Sequence, residues 1–340
     1  MAGPSSSGRP SPPAAGDGPG PGLAYEVLEG SLVRFTSAES RARSPPPTVV
    51  LVHGILGSRK NLRRFAERIL GQYPAWQAVL VDLRNHGESS AGFEAPGEST
   101  VDSSAADVLA LLGGLRLFPS VLVGHSFGGK VVLSMARQFA ARFGAGARLP
   151  RRVDAWVLDT VPGEVRAGGA AREDHPEDLI AALKELPMPL AERSQLVSYL
   201  ASRGFSPDVG LWMCTNLRPT RGADGAAALE WAFDLGGVEE MYRSYESTCL
   251  WDFVGAPPEG LDLNFVRAEH STFRWSGDDR ERLEGSRAEV HLLEDSGHWV
   301  HADNPEGLFR IMLKSFDGPH GLDASMRQRQ RRPAAPPGSP

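Results

Sequence analysis

The sequence predicts an α/β protein in which a mostly parallel, doubly wound sheet is interrupted by a helical insertion. The first observation is a set of six short apolar runs, because strands buried on both faces of a parallel sheet have this pattern. The second is that stretches with the 3.6-residue spacing of amphipathic helices lie between the runs. The third is a long interval, about residues 163–253, in which no strand-like run occurs.

These elements alternate along the chain as a doubly wound sheet requires. The predicted strands cover residues 48–52, 78–81, 120–123, 155–158, 263–266 and 290–293. The predicted helices between them cover residues 61–70, 103–115, 127–143 and 305–316, and those of the insertion cover residues 176–186, 191–204, 207–217 and 238–248. Because the insertion follows the fourth strand, we expect it beside the carboxyl edge of the sheet, where open α/β sheets bind ligands.

Composition divides the chain into five segments. Residues 1–22 and 319–340 are rich in Pro, Gly, Ser, Ala or Arg, too poor in apolar side chains to fold, and predict a disordered leader and tail. Between them we expect the first part of an α/β core at 23–162, a helical cap at 163–255 and the second part of the core at 256–318.

Charge and cysteine content exclude several classes of protein. The 36 Lys+Arg and 42 Asp+Glu residues give a net charge of −6, the wrong sign for holding a nucleic acid backbone. The two cysteines, Cys214 and Cys249, exclude a disulfide framework and a zinc site built from cysteines alone. We expect an intracellular protein without an integral membrane segment, in the cytoplasm or an organelle. Nothing in the sequence indicates an oligomeric state.

A Gly-x-Ser-x-Gly motif joins a predicted strand to a predicted helix, which is the context of a nucleophile elbow. The motif alone occurs often by chance, so its position between these elements is what makes Ser126 a candidate nucleophile. Small residues around the serine leave room for a tight turn. The elbow consists of Gly124, His125, Ser126, Phe127 and Gly128, with Gly129 after it.

A serine hydroxyl needs a base, and histidine is the side chain whose ordinary pKa suits that task. His298 lies between the last predicted strand and helix, in a loop that this topology places over the elbow, and His301 is its rival. The two histidines could also be interpreted as a metal pair. No carboxylate or cysteine completes a zinc spacing with them, so we expect no metal.

The remaining catalytic groups are predicted from strand ends. A carboxylate near the elbow must orient the imidazole, and Asp159 and Glu269 both follow predicted strands, with Asp159 favoured. The oxyanion needs two amide donors, one from the residue after the nucleophile and one from an earlier loop. Phe127 and Ile55 are the candidates.

Four motifs together resemble the serine hydrolases of the α/β-hydrolase fold. Within this family the sequence is most similar to the subfamily of alpha/beta hydrolase domain-containing protein eleven and its bacterial esterase relatives. The resemblance extends over about residues 25–318 and is carried by residues 53–57, 82–87, 124–130 and 296–303.

The resemblance implies a Ser-His-acid esterase or lipase-like enzyme with a helical cap, no cofactor and a small acyl ester as substrate. It assigns Ser126 as nucleophile, His298 as base, and the Ile55 and Phe127 amides to the oxyanion hole. For the acid it leaves three positions open. The strand end used in relatives corresponds to Asp159, the position commoner across the fold corresponds to Glu269, and a third corresponds to Asp234 in the insertion.

Other functions compete with ester hydrolysis. Residues 124–130 nearly match a phosphate-binding loop, but Val131 stands where that loop needs Ser or Thr to bind magnesium. Thioesterases, carbon–carbon bond hydrolases, lyases and hormone receptors can keep the triad on this fold. Residues 205–253 contain eight aromatic side chains, which predict either the core of the cap or an apolar acyl pocket. The pocket interpretation favours short- to medium-chain acyl esters over charged or peptide substrates.

Overall fold

The computed structural model describes residues 22–43, 45–94, 96–144, 148–165, 175–223, 225–271 and 275–317. The segments predicted as a disordered leader and tail lie, except for Gly22, outside the described residues. No helix in the described part of the chain is long and apolar enough to cross a membrane.

Seven strands of the described residues form one sheet in the order β1-β3-β2-β4-β5-β8-β9. All neighbours in this sheet are parallel except β1, which pairs antiparallel with β3 at the edge. A separate pair, β6 and β7, forms an antiparallel hairpin. The strands are β1 Tyr25–Glu29, β2 Thr48–Val52, β3 Gln77–Val81, β4 Val121–His125, β5 Arg148–Leu158, β6 Leu217–Arg221, β7 Ala227–Trp231, β8 Glu259–Ala268 and β9 Glu289–Leu293.

Helices connect the strands and form the insertion. They are α1 Ser31–Arg34, α2 Ala38–Arg43, α3 Arg59–Gln72, α4 Ser89–Gly92, α5 Val101–Gly114, α6 Phe127–Ala141, α7 Pro176–Glu185, α8 Arg193–Ser202, α9 Pro207–Cys214, α10 Leu235–Ser247, α11 Trp251–Gly255, α12 Gly277–Glu284, α13 Val300–Asp303 and α14 Pro305–Asp317. The six predicted strands and the four predicted helices of the α/β core are confirmed, although β5 begins seven residues and β8 four residues before the predicted run. The doubly wound, mostly parallel sheet is therefore also confirmed.

The core has a layer on each face of the sheet. One layer packs α3 and α14 against the sheet through side chains such as Phe65 and Phe316. The other packs α5 and α6 and continues into the helices of the insertion, with Val131 and Met241 in the same cluster. Because strands β2, β3 and β4 are buried along their whole length, their sequences are continuous apolar runs.

Two strand pairings differ from the sequence-based expectation. Strand β1 was not predicted, because its edge position leaves side chains such as Val27 partly exposed and gives no continuous apolar run. The expectation that the insertion holds no strand is wrong, since β6 and β7 form a hairpin there. Both hairpin strands carry mainly half-buried or exposed residues, including Pro219 in β6, so their sequence lacks the pattern of a buried strand.

The buried side chain of Lys130 ties the insertion to the core. Lys130 lies on α6, and its Nζ donates to the carbonyl oxygens of Gly163 at 2.6 Å, Tyr245 at 2.6 Å and Thr248 at 2.8 Å. It also lies 4.6 Å from the centre of the Tyr245 ring. Burial lowers the pKa of Lys130 from 10.5 to about 7. This ammonium is committed to the protein's own carbonyls, which argues against a phosphate-binding role for residues 124–130.

We expect Lys130→Met to change how stability depends on pH. The pKa of Lys130 is about 7 in the folded protein and 10.5 in the unfolded chain. Between these two pH values the folded protein has lost this proton and the unfolded chain has kept it. The contribution of Lys130 to the free energy of unfolding therefore rises with pH above 7, by about 1.4 kcal/mol per pH unit. Urea unfolding at pH 6 to 9 should show that, from pH 7 upward, the free energy of unfolding of the wild type rises relative to that of Lys130→Met. A difference independent of pH would contradict the lowered pKa.

Candidate active site

The elbow places Ser126 at a strained turn between β4 and α6. Its φ is 53°, in the left-handed region, and its N–H donates to the carbonyl of Leu158 at 2.8 Å. A Cβ on Gly128 would lie 2.5 Å from the Val52 carbonyl oxygen, and one on Gly124 would overlap the Gly128 carbonyl. These positions therefore need glycine so that the strand and the helix can approach each other.

Asp159 and His298 are brought together although 139 residues separate them. The Nδ1 of His298 donates to Oδ2 of Asp159 at 2.7 Å. The carboxylate is fully buried and also accepts hydrogen bonds from the Ala268 N–H, at 3.0 Å, and from the Ser271 hydroxyl. A carboxylate that holds Nδ1–H leaves Nε2 of the imidazole as the nitrogen that can accept a proton.

The rival carboxylates have other partners. Glu269 accepts from the Asp295 N–H at 3.0 Å and lies 3.5 Å from Nε2 of His270. Among the described residues these three form the one group whose ligand atoms could hold a metal ion, and its members are exposed and include neither His298 nor His301. Asp234 accepts from the Gly236 N–H at 3.1 Å and caps helix α10.

His125 fastens the His298 loop to the elbow. Its Nε2 donates to the carbonyl oxygen of His298 at 2.7 Å, and the two rings lie 4.8 Å apart. The residue directly before Ser126 therefore contacts His298. The rival base His301 packs its ring 4.9 Å from His125, and no described group hydrogen-bonds to its buried Nδ1. Burial lowers the pKa of His301 to about 4.

Two backbone amides close to Ser126 have no acceptor among the described residues. Phe127 is the first residue of α6, where an N–H has no partner within the helix and the helix dipole favours negative charge. Ile55 belongs to a turn closed by the Gly57 N–H and the Gly54 carbonyl at 3.1 Å. In the described part of the chain its N–H donates to no acceptor. A Cβ on Gly54 would lie 3.3 Å from Cβ of Ser126, so this turn passes directly beside the elbow.

Tyr245 contributes a group that the sequence analysis did not single out. It lies on α10 in the insertion, and its hydroxyl is 2.6 Å from the Thr160 hydroxyl. Its ring lies 6.0 Å from that of Phe127, the residue after Ser126, and burial raises the pKa of the phenol far above its ordinary value. The insertion thus places a neutral phenol beside the elbow serine. The only sequence signal for this residue was the aromatic content of residues 205–253.

The loop after β3 carries charged residues that are paired within the protein. Asp82 pairs with Arg59 and accepts from its N–H at 2.7 Å, so it holds the start of α3. Arg84 is buried and binds both carboxylate oxygens of Asp107, at 2.7 and 2.8 Å. The charged residues of this loop therefore have structural partners.

Residues 49–311 match the sequence model of the alpha/beta hydrolase family. The chain belongs to this family. The family resemblance carried by the four sequence motifs is therefore confirmed, and the match covers the elbow, the insertion and the His298 loop.

Several members of the alpha/beta hydrolase family are similar along most of this chain. The sn-1-specific diacylglycerol lipase ABHD11 of Mus musculus is 28% identical over 300 residues, covering 86% of this chain and 84% of that protein. Esterase YbfF of Escherichia coli (strain K12) is 23% identical over 288 residues, covering 83% and 97%. The solved structure of a marine microorganism esterase has a TM-score of 0.64 at 21% identity, covering 87% and 99%, and this likeness supports the fold.

We expect the Asp159–His298 hydrogen bond to be visible by proton NMR. An imidazole N–H held by a buried carboxylate is strongly deshielded, so one resonance should appear far downfield of the amide region. Asp159→Asn should abolish that resonance and Glu269→Gln should retain it. The opposite pattern would make Glu269 the partner of His298.

Proposed function

We propose that this alpha/beta hydrolase is a serine hydrolase of carboxylic acyl esters whose triad is Ser126, His298 and Asp159. The observation that carries the proposal is the 2.7 Å hydrogen bond between His298 and Asp159 beside a strained serine elbow. The names of the relatives add weight, since they include esterases and a diacylglycerol lipase.

In the proposed reaction the Ser126 hydroxyl attacks the ester carbonyl and gives its proton to Nε2 of His298. Asp159 holds the opposite nitrogen and stabilises the imidazolium that forms. The amides of Ile55 and Phe127 donate to the oxygen that becomes negative in the tetrahedral intermediate. The imidazolium then protonates the leaving alcohol, and water, activated by the same imidazole, releases the acyl group from the serine.

We further propose that residues 163–255 act as a cap that binds the acyl group. Trp212 of α9 packs its ring 5.5 Å from that of Trp299, the residue directly after His298. Both rings are partly buried, so they offer apolar surface next to the proposed base. Other aromatic residues of this segment, including Phe233 and Tyr242, are buried in the packing of the segment itself. These features favour an uncharged, apolar acyl group.

A fluorophosphonate probe tests the nucleophile. The probe should label the wild type and the Ser134→Ala control, whose serine lies on the same helix and binds Asp102. Ser126→Ala should not be labelled and should lose ester turnover by about 10⁴- to 10⁶-fold with an unchanged fold. Equal labelling of Ser126→Ala and the wild type would refute the assignment. Ester hydrolysis no faster than that of Ser126→Ala would favour a binding role.

Trp212→Ala tests the acyl site. Removing the indole should raise KM for an octanoyl nitrophenyl ester about three- to tenfold more than for the acetyl ester, because one aromatic contact with the chain is lost. Trp231→Ala is the matched control, since its ring stacks on Phe233 at 5.0 Å. Equal effects of Trp212→Ala on both esters would contradict this acyl site.

A further inference from the structure

The oxyanion turn contains a residue that needs support from its surroundings. Leu56 follows the proposed donor Ile55 and has a φ of 56°. A leucine in the left-handed region is strained, so this conformation persists only where neighbouring groups fix it. The direction of the Ile55 N–H depends on the same turn, because both residues lie between the hydrogen-bonded Gly54 and Gly57.

Both backbone groups of Leu56 are held by buried side chains. Its N–H donates to Nε2 of His86 at 3.0 Å. Its carbonyl oxygen accepts from Nδ2 of Asn216 at 2.8 Å. His86 is fully buried and Asn216 nearly so, which shields these hydrogen bonds from competing water.

His86 is suited to act as an acceptor. Its Nδ1 donates to the carbonyl oxygen of Arg84 at 2.9 Å, which leaves Nε2 unprotonated in the neutral ring. Burial, and then the neighbouring His53, lower the pKa of His86 to about 3, so the ring stays neutral near pH 7. The Leu56 N–H is therefore occupied, whereas the Ile55 N–H has no acceptor among the described residues.

Asn216 belongs to the insertion. It lies between α9 and β6, and its own carbonyl accepts from the Ala232 N–H at 2.8 Å. The hairpin of β6 and β7 thereby fixes the backbone from which the amide side chain extends to Leu56. This hydrogen bond joins residues that are 160 positions apart.

We propose that His86 and Asn216 are positioning residues that hold Leu56 and thereby aim the Ile55 amide at the oxyanion. Because Asn216 comes from the insertion, the oxyanion hole is complete only while this segment is seated on the core. The inference rests on the proposed ester hydrolysis and adds the residues that prepare its transition-state donor.

The test compares Asn216→Asp, a nearly isosteric change that removes the donor, with wild type. Asn216→Ser is a second, smaller variant in case the carboxylate prevents folding. Asn264→Asp is the matched control, because Asn264 is also buried but its side chain contacts the Asp262 carbonyl of its own strand, β8, and His291 of β9. For each we would measure kcat and KM on a nitrophenyl ester, and affinity for a trifluoromethyl ketone and its methyl ketone counterpart. The first ketone forms an oxyanion on the serine, whereas the second binds mainly as a planar ketone.

The Asn216 variants should lose about 10- to 100-fold in kcat and in affinity for the trifluoromethyl ketone, with KM and methyl ketone affinity almost unchanged. The Asn264→Asp enzyme should keep the wild-type ratio of the two affinities. An unchanged ratio in the Asn216 variants would overturn the inference while leaving the proposed hydrolysis intact. A wild type without serine-dependent ester turnover would instead overturn both.

Discussion

The buried carboxylate of Asp159 is the constraint on which the site depends. It stands at the end of β5, directly before the insertion, while its partners Ala268 and His298 follow the insertion. Its own N–H donates to the carbonyl of Val266 at 2.8 Å, so the β5–β8 pairing continues into the site. A buried carboxylate without donors would be strongly destabilising, and these long-range bonds satisfy it. The two parts of the core must therefore close on each other before the imidazole has an orientation.

Histidines near the elbow perform two different physical tasks. His53, His86 and His125 are buried, and burial lowers the pKa of each, to about 4 for His53 and about 3 for His86. Each is a neutral ring that anchors backbone, as when His53 accepts from the Leu83 N–H at 3.0 Å. His298 differs because it alone of these four pairs with a buried carboxylate, Asp159. A carboxylate partner, more than the presence of a histidine, distinguishes a candidate base from a structural ring.

The sequence predicted those parts of the molecule that local pattern determines. Buried parallel strands are continuous apolar runs, and the elbow needs glycines at fixed positions, so both could be recognised from the order of the residues alone. The sequence favoured Asp159 but left Glu269 open, because both follow strands that lie side by side, and the direction of each carboxylate depends on the turn after the strand. Asn216 and the hairpin that follows it left no signal, since half-exposed strands have no periodic apolar pattern. A hydrogen bond between a single polar side chain and a residue distant in the sequence can be identified only in the folded structure.

The insertion contacts the core around the candidate site through three different interactions. Lys130 on the helix after Ser126 donates to three carbonyls of the insertion, the Tyr245 hydroxyl lies 2.6 Å from that of Thr160, and Asn216 donates to Leu56 beside the proposed oxyanion donor. All three interactions are buried and polar, so displacing the segment would expose or orphan groups on both sides of the junction. A cap joined to the core only by apolar contacts could slide without harming the catalytic groups. Movement of the segment would therefore disturb the helix after Ser126 and the turn that holds Ile55 together, and in the proposed enzyme this would couple substrate binding in the cap to catalysis.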